Sequence, residues 1–278
     1  MKTRILTAIV ATAVLIPVLI FSATPIFPVA VAFVAVVSLY ELFHCVGVGE
    51  LHISLPMYIS AVLMIFWARY AENGQSFSVV AFSLASVILL YLFAVAVLSH
   101  GKFSFEALGV IFSASLYIIA ACCTLIYVRD IERGGKFIYL LIFLGAWITD
   151  IFAYFTGMLL GKHKLIPDVS PKKTVEGSIG GTLFCAISFV VFGVIMNCYF
   201  GGESNFLLLA IGGVAIAVIS QIGDLIMSVI KRHYGIKDFG KLFPGHGGML
   251  DRFDSILAVS LGVGVMCMLS SFLGISIL

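Results

Sequence analysis

Asp224, Asp251 and Asp254, with His246 and the glycines around it, are the residues of this chain whose types and spacing invite chemistry. They frame the stretch KRHYGIKDFGKLFPGHGGMLDRFD, residues 231–254, where eight of the chain's 30 Asp, Glu, Lys and Arg residues fall in 24 positions. Asp251 and Asp254 are three apart at a helix start, so both can project to one side. Acidic residues also suit a helix N-terminus, and that alone would account for the pair. Gly245, Gly247 and Gly248 let backbone N–H groups approach an anion closely, and His246 lies among them. Lys231, Arg232, Lys237, Lys241 and Arg252 add positive charge. Together these groups suit a divalent metal and phosphates, since Mg2+ takes one or two carboxylates and completes its shell with phosphate oxygens.

A second polar stretch, GKHKLIPDVSPKKTVEGSIGG, begins at residue 161. Ser170-Pro171 is a turn signal, followed by two charges and a hydroxyl at Lys172, Lys173 and Thr174, with Glu176 placed to cap or pair. The lysines alone read as an ordinary basic loop at a membrane surface. Two acidic residues lie inside apolar runs: Asp150 in WITDIFAYFTG and Asp224 in AVISQIGDLIMSVIKR. A carboxylate at such depth costs at least ~2.5 kcal/mol and faces a polar cavity or a partner; a plain ion pair between helices is the alternative. Glu41, near the end of an earlier apolar run, is a weaker candidate of the same kind.

The elements that must position these groups are membrane helices. The chain is 62% hydrophobic and 11% charged, against roughly a quarter charged for soluble domains. The expected fold is all-α, a polytopic helical bundle. A span needs ~20 mostly apolar residues, and nine stretches qualify or nearly so: 5–22, 26–44, 54–70, 77–99, 107–128, 136–160, 179–200, 205–230 and 255–277. Residues 1–130 form N-terminal spans and 131–278 a C-terminal catalytic region with loops 161–178 and 231–254. Nine spans divide the Lys and Arg residues 12 to 4, which places the N-terminus and both loops on the cytoplasmic side. Those loops are separated by two spans, so they share a face under any recount and can build one site. The apolar start reads as a retained first helix rather than a cleaved signal. A net charge of +2 gives no reason to expect nucleic acid. The six cysteines lack paired spacing and read as apolar fillers. Gly157-x-x-x-Gly161 and the glycines at 177–181 read as helix-packing contacts.

Residues 228–254, with Ser-x-x-Lys-Arg, Lys-Asp, Pro-Gly-His-Gly-Gly and Asp-Arg-x-Asp in order, resemble the signature of the phosphatidate cytidylyltransferases, also called CDP-diacylglycerol synthases. WITDIFAYFTG and SPKKTVEGSIGG resemble two further motifs of that family in the same order, so the strong similarity covers about residues 145–260. The resemblance implies a reaction of CTP with phosphatidic acid, giving CDP-diacylglycerol and pyrophosphate with Mg2+. It implies metal ligation by Asp224 and Asp251, with K+ associated with a second metal position. It also implies a homodimer in the bacterial cytoplasmic (inner) membrane, with membrane lipid around it. On this reading Lys172, Lys173, Lys231, Arg232, His246 and Asp254 form the catalytic set and Asp150, Ser170, Thr174, Gly247, Gly248 and Arg252 the cofactor-binding set, with Asp150, Asp254 and His246 serving as metal-water ligands or orienters. Two rivals remain at this stage. One is a secondary transporter or channel using Asp150, Asp224 and Glu41 as coupling sites; the other is a CTP-dependent lipid kinase that transfers the γ-phosphate.

Overall fold

A computed structural model describes every residue except Met1, Glu72, Asn73 and Arg133, and every side chain of the described residues except 2–6, 8 and 74–76. Lys2, Arg4 and Arg133, counted above in the charge split, therefore lie outside the described side chains. The helices are α1 (Lys2–Ile20), α2 (Ile26–Val46), α3 (Leu51–Tyr70), α4 (Gly74–Leu98), α5 (Phe105–Asp130), α6 (Gly135–Ile138), α7 (Leu140–Leu160), α8 (Val175–Phe200), α9 (Phe206–His233) and α10 (Leu250–Phe272). Among the described residues eight helical stretches have the length and apolarity to cross a membrane, α6 and α7 counting as one; Ile9–Ile20 is a shorter apolar helix. The polytopic helical architecture is as expected.

Two details differ from the expectation. Strands β1 (Lys164–Ile166) and β2 (Ser170–Thr174) pair antiparallel, a short hairpin in a loop of the all-α fold. A polar loop must still satisfy its backbone N–H and C=O groups, and this one does so partly against itself. The helices also outrun the apolar stretches. α9 continues to His233 and α10 starts at Leu250, so Lys231, Arg232, Asp251 and Asp254 are helical rather than loop residues. Apolar counting marks the hydrocarbon crossing, whereas a helix continues until its backbone bonds are capped.

The chain divides into two compact units. The first comprises residues 1–126 and 233–253. Its core is apolar, with Phe27, Leu39, Leu42, Phe43, Ile53, Met57, Ile65, Ile111 and Ile118 essentially inaccessible. α2 packs along α3 and α3 along α4. α4 buries almost none of its own surface, and Phe82, Val97 and Leu98 face outward, as lipid-facing positions do. Ser104 accepts from Ala107 N–H at 3.0 Å and starts α5.

The second unit comprises residues 127–232 and 254–278. α7 and α8 make its most extensive pairing, and glycine is the reason. A Cβ at Gly181 would lie 2.7 Å from the Thr149 carbonyl oxygen, and one at Gly157 would lie 2.7 Å from Thr174 Oγ1. Close backbone approach of this kind is how helices associate without a hydrophobic driving force in lipid. The Thr174 hydroxyl accepts from Gly177 N–H at 3.1 Å and caps α8, and Asn205 accepts from Leu208 N–H at 3.0 Å to start α9. Four of the six cysteines (Cys122, Cys123, Cys185, Cys267) are buried and all six are free, in keeping with filler roles.

Candidate active site

The first unit carries the glycine loop and the start of α10. In Phe243-Pro244-Gly245-His246 the His246 N–H donates to the Phe243 carbonyl at 2.8 Å, and Gly245 has φ +80°. Proline at the second position and a positive φ at the third make a type II turn, which only glycine enters without strain. Phe243 N–H then donates to the Gly247 carbonyl at 2.9 Å and closes the loop. The Thr7 hydroxyl of α1 donates to the Pro244 carbonyl at 3.3 Å and meets His246 Nδ1 at 3.0 Å. That fixes one ring nitrogen of His246.

Around this loop is an open cavity of about 640 Å3, lined by Lys237, Asp238, Lys241, His246, Arg252 and the loop backbone. Three permanent cations against one carboxylate make it an anion-attracting surface of nucleotide size. Asp251 faces inward instead. It is buried, and its Oδ2 accepts from Phe239 N–H at 2.8 Å and Gly248 N–H at 3.0 Å. The Gly248 amide expected to meet an anion is thus already held by the protein's own carboxylate. Nearby, burial raises the Tyr234 phenol above its usual range, with the Glu106 charge adding to it.

Glu41 is the residue whose importance the sequence understated. It is buried in α2 and accepts from Met249 N–H at 2.9 Å and Leu250 N–H at 2.8 Å. Its only advance signal was an acid inside an apolar run.

The second unit gathers acids and lysines from four elements. Lys173 of β2 pairs with Asp224 of α9. Ser255 Oγ donates to Asp150 Oδ2 of α7 at 3.3 Å, and Ser255 N–H donates to Asp254 Oδ1 at 2.8 Å. Asp254 and Lys231 are both buried, and Asp254 feels the charges of Asp224, Lys231 and Asp150. The hairpin is tied down by Glu176, which accepts from the N–H groups of Lys162 (3.1 Å) and His163 (3.2 Å) and meets His163 Nδ1 at 2.6 Å. Lys172 is exposed on β2, Ser170 is partly exposed and Arg232 is exposed near the end of α9. Thr174 is buried, with its hydroxyl committed to the α8 cap.

Among the described residues no three His, Cys, Asp or Glu side chains converge closely enough to hold a metal ion. The oxygen donors are nonetheless of the type a hard cation takes, and Mg2+ needs only one or two of them when substrate phosphates complete its shell.

A family described as the cytidylyltransferase family matches residues 2–271. This chain belongs to the cytidylyltransferase family. Among its curated relatives is a phosphatidate cytidylyltransferase of Staphylococcus haemolyticus, 35% identical over 259 residues, covering 93% of this chain and 96% of the relative. That of Bacillus subtilis is 34% identical over 263 residues, covering 93% and 94%. That of Staphylococcus aureus strain COL is 33% identical over 260 residues, covering 93% and 96%. Similarity to these cytidylyltransferases therefore runs through the N-terminal spans as well as the motif-bearing half.

Proposed function

We propose that this integral membrane protein is a phosphatidate cytidylyltransferase, joining CTP to phosphatidic acid to give CDP-diacylglycerol and pyrophosphate in phospholipid synthesis. The 228–254 motif carries this reading, supported by relatives of that name along nearly the whole chain. A phosphate oxygen of phosphatidic acid attacks the α-phosphorus of CTP. The new P–O bond forms as the bond to the bridging oxygen breaks, and pyrophosphate leaves with that electron pair. Both reactants are anionic, so the barrier is mainly repulsion and alignment, and such transfers need electrostatic stabilisation more than covalent help.

Each unit carries cations of its own. Lys237, Lys241 and Arg252 line a cavity suited to a triphosphate, and Lys172, Lys173, Lys231 and Arg232 supply further cations for phosphate oxygens. Asp251 in the first unit and Asp224 in the second are the carboxylates that would take Mg2+, with Asp150 and Asp254 as supporting acids, and K+ is the candidate for a second metal position. The chemistry of Mg2+ there would be charge neutralisation on the phosphate oxygens. A phosphate monoester at pH 7 is largely ionised already, so no strong general base is required. His246, held by Thr7, orients rather than abstracts. The protein acts as a homodimer in the bacterial cytoplasmic membrane, its charged loops facing the cytoplasm where CTP is found.

The test is product analysis with purified protein in mixed micelles. Label in the cytidine ring should enter lipid, dependent on Mg2+. Label from the γ-phosphate entering lipid would make the protein a lipid kinase, and neither label entering would leave the transporter reading.

A further inference from the structure

We infer that Glu41 is a positioning residue for the reaction: it holds the glycine loop and the first turn of α10 so that the Asp251 carboxylate keeps its working orientation. This rests on the cytidylyltransferase reading for what Asp251 does, while the positioning itself rests on contacts within the first unit.

Glu41 is 4% exposed, and its two carboxylate oxygens are divided between the N–H groups of Met249 and Leu250, 208 and 209 residues away. These are donors that a helix start leaves without an intrahelical partner. The fit is close on both sides, because a Cβ at Gly240 or at Gly248 would run into the Glu41 carboxylate. Two glycines of the signature stretch are thus small because of Glu41. Asp251, on the same turn, is left to accept from Phe239 and Gly248 N–H. One acid caps α10 and the other cross-ties the loop.

The division of labour has a consequence. Without Glu41 the buried Met249 and Leu250 amides lose their carboxylate acceptor, and the carboxylate on the same turn, whose charge already acts on Glu41, is Asp251. Capping side chains compete for such donors wherever geometry allows. Asp251 would then release Phe239 and Gly248, loosening the loop and turning its oxygens from the metal.

The experiment uses full-length protein in detergent, with Glu41→Gln and Glu41→Asp beside wild type. Glutamine keeps the shape but presents an NH2 group to one of the two donors; aspartate keeps the charge but is one methylene short. Two readouts need no turnover: amide hydrogen exchange across residues 238–252, and Mn2+ binding followed by its paramagnetic resonance. Glu41→Gln is expected to speed exchange in that segment at least tenfold and to weaken Mn2+ binding about fivefold or more, with Glu41→Asp intermediate. In assays, half-saturating Mg2+ should rise by a similar factor, while the rate at saturating Mg2+ stays within about threefold. Unchanged exchange overturns the inference. So does faster exchange with unchanged Mn2+ and Mg2+ dependence, which marks a structural cap only. If Glu41→Gln does not purify, Glu41→Asp decides by the same criteria. If wild type binds Mn2+ and shows the Glu41 effects yet forms no CDP-lipid, the functional reading fails and the positioning role stands.

Discussion

Asp224 and Asp251 carry the same proposed duty in different surroundings, and their substitutions should therefore separate charge from structure. Asp251→Asn keeps an oxygen able to accept from Phe239 and Gly248 N–H but loses the charge. It should fold and lose at least ~100-fold in CDP-lipid formation, about 2.7 kcal/mol of barrier. Asp251→Ala removes both hydrogen bonds and leaves the buried Gly248 N–H without its carboxylate acceptor, at ~1–3 kcal/mol, so its melting temperature in detergent should fall as well. Asp224→Asn removes the charge that pairs with Lys173 and should match Asp251→Asn in activity; normal turnover in either variant sinks the metal assignment. A milder effect is expected in the cavity, where Lys241 is exposed. Lys241→Gln should raise the CTP KM only about two- to fivefold, because an exposed charge pair is worth ~0.2–1 kcal/mol, and the difference from wild type should shrink as salt rises. The sequence made these residues visible by type and spacing, but not their commitments. Gly248 looked like an anion cradle and its amide is held by Asp251. Thr174 looked like a substrate contact and caps α8. Glu41 looked minor because its partners lie 208 and 209 residues away, a separation that no local pattern encodes.

Between elements, the α7–α8 seam shows what was readable and what was not. Glycines spaced for close helix approach announced a packing face, and Gly181 indeed sits against the Thr149 carbonyl and the Ala153 methyl. Gly181→Val places atoms where there is no room, and overpacking of this kind costs ~1–3 kcal/mol. The expected result is a lower melting temperature in detergent with the CTP KM unchanged in the fraction that stays folded; a rise in KM would mean the seam also shapes the substrate site. The hairpin carrying Lys172 and Lys173 was not readable. Three residues of β1 are too few for alternation to register, and Ser-Pro-Lys-Lys-Thr has the composition of a turn. What orders it is the clasp of Glu176 on His163 and the Lys162 and His163 amides. Glu176→Ala should therefore make the 161–170 segment a site of limited proteolysis, readable by mass spectrometry of the fragments.

At the scale of the whole molecule, span-length helices were legible because lipid imposes one requirement on every crossing. Backbone groups must pair within the segment, so each crossing is a helix of about 20 apolar residues. The ends were less legible, since α9 and α10 continue past the apolar run and carry Lys231, Asp251 and Asp254 on ordered turns. The same distinction makes orientation testable. If basic residues set the sidedness, residue 241 lies in the cytoplasm, and the exposed Glu203 between α8 and α9 lies outside. Cys198 is the exposed native thiol, so Cys198→Ser provides the background for Lys241→Cys and Glu203→Cys. In intact cells a membrane-impermeant maleimide should label position 203 and leave 241 untouched until the membrane is opened. CTP is a cytoplasmic nucleotide and phosphatidic acid stays in the bilayer, so the two can meet only where charged helix ends reach the inner headgroup layer. Labelling of position 241 from outside would put the Lys237–Arg252 cavity on the wrong side for CTP and reopen the question of what anion it holds.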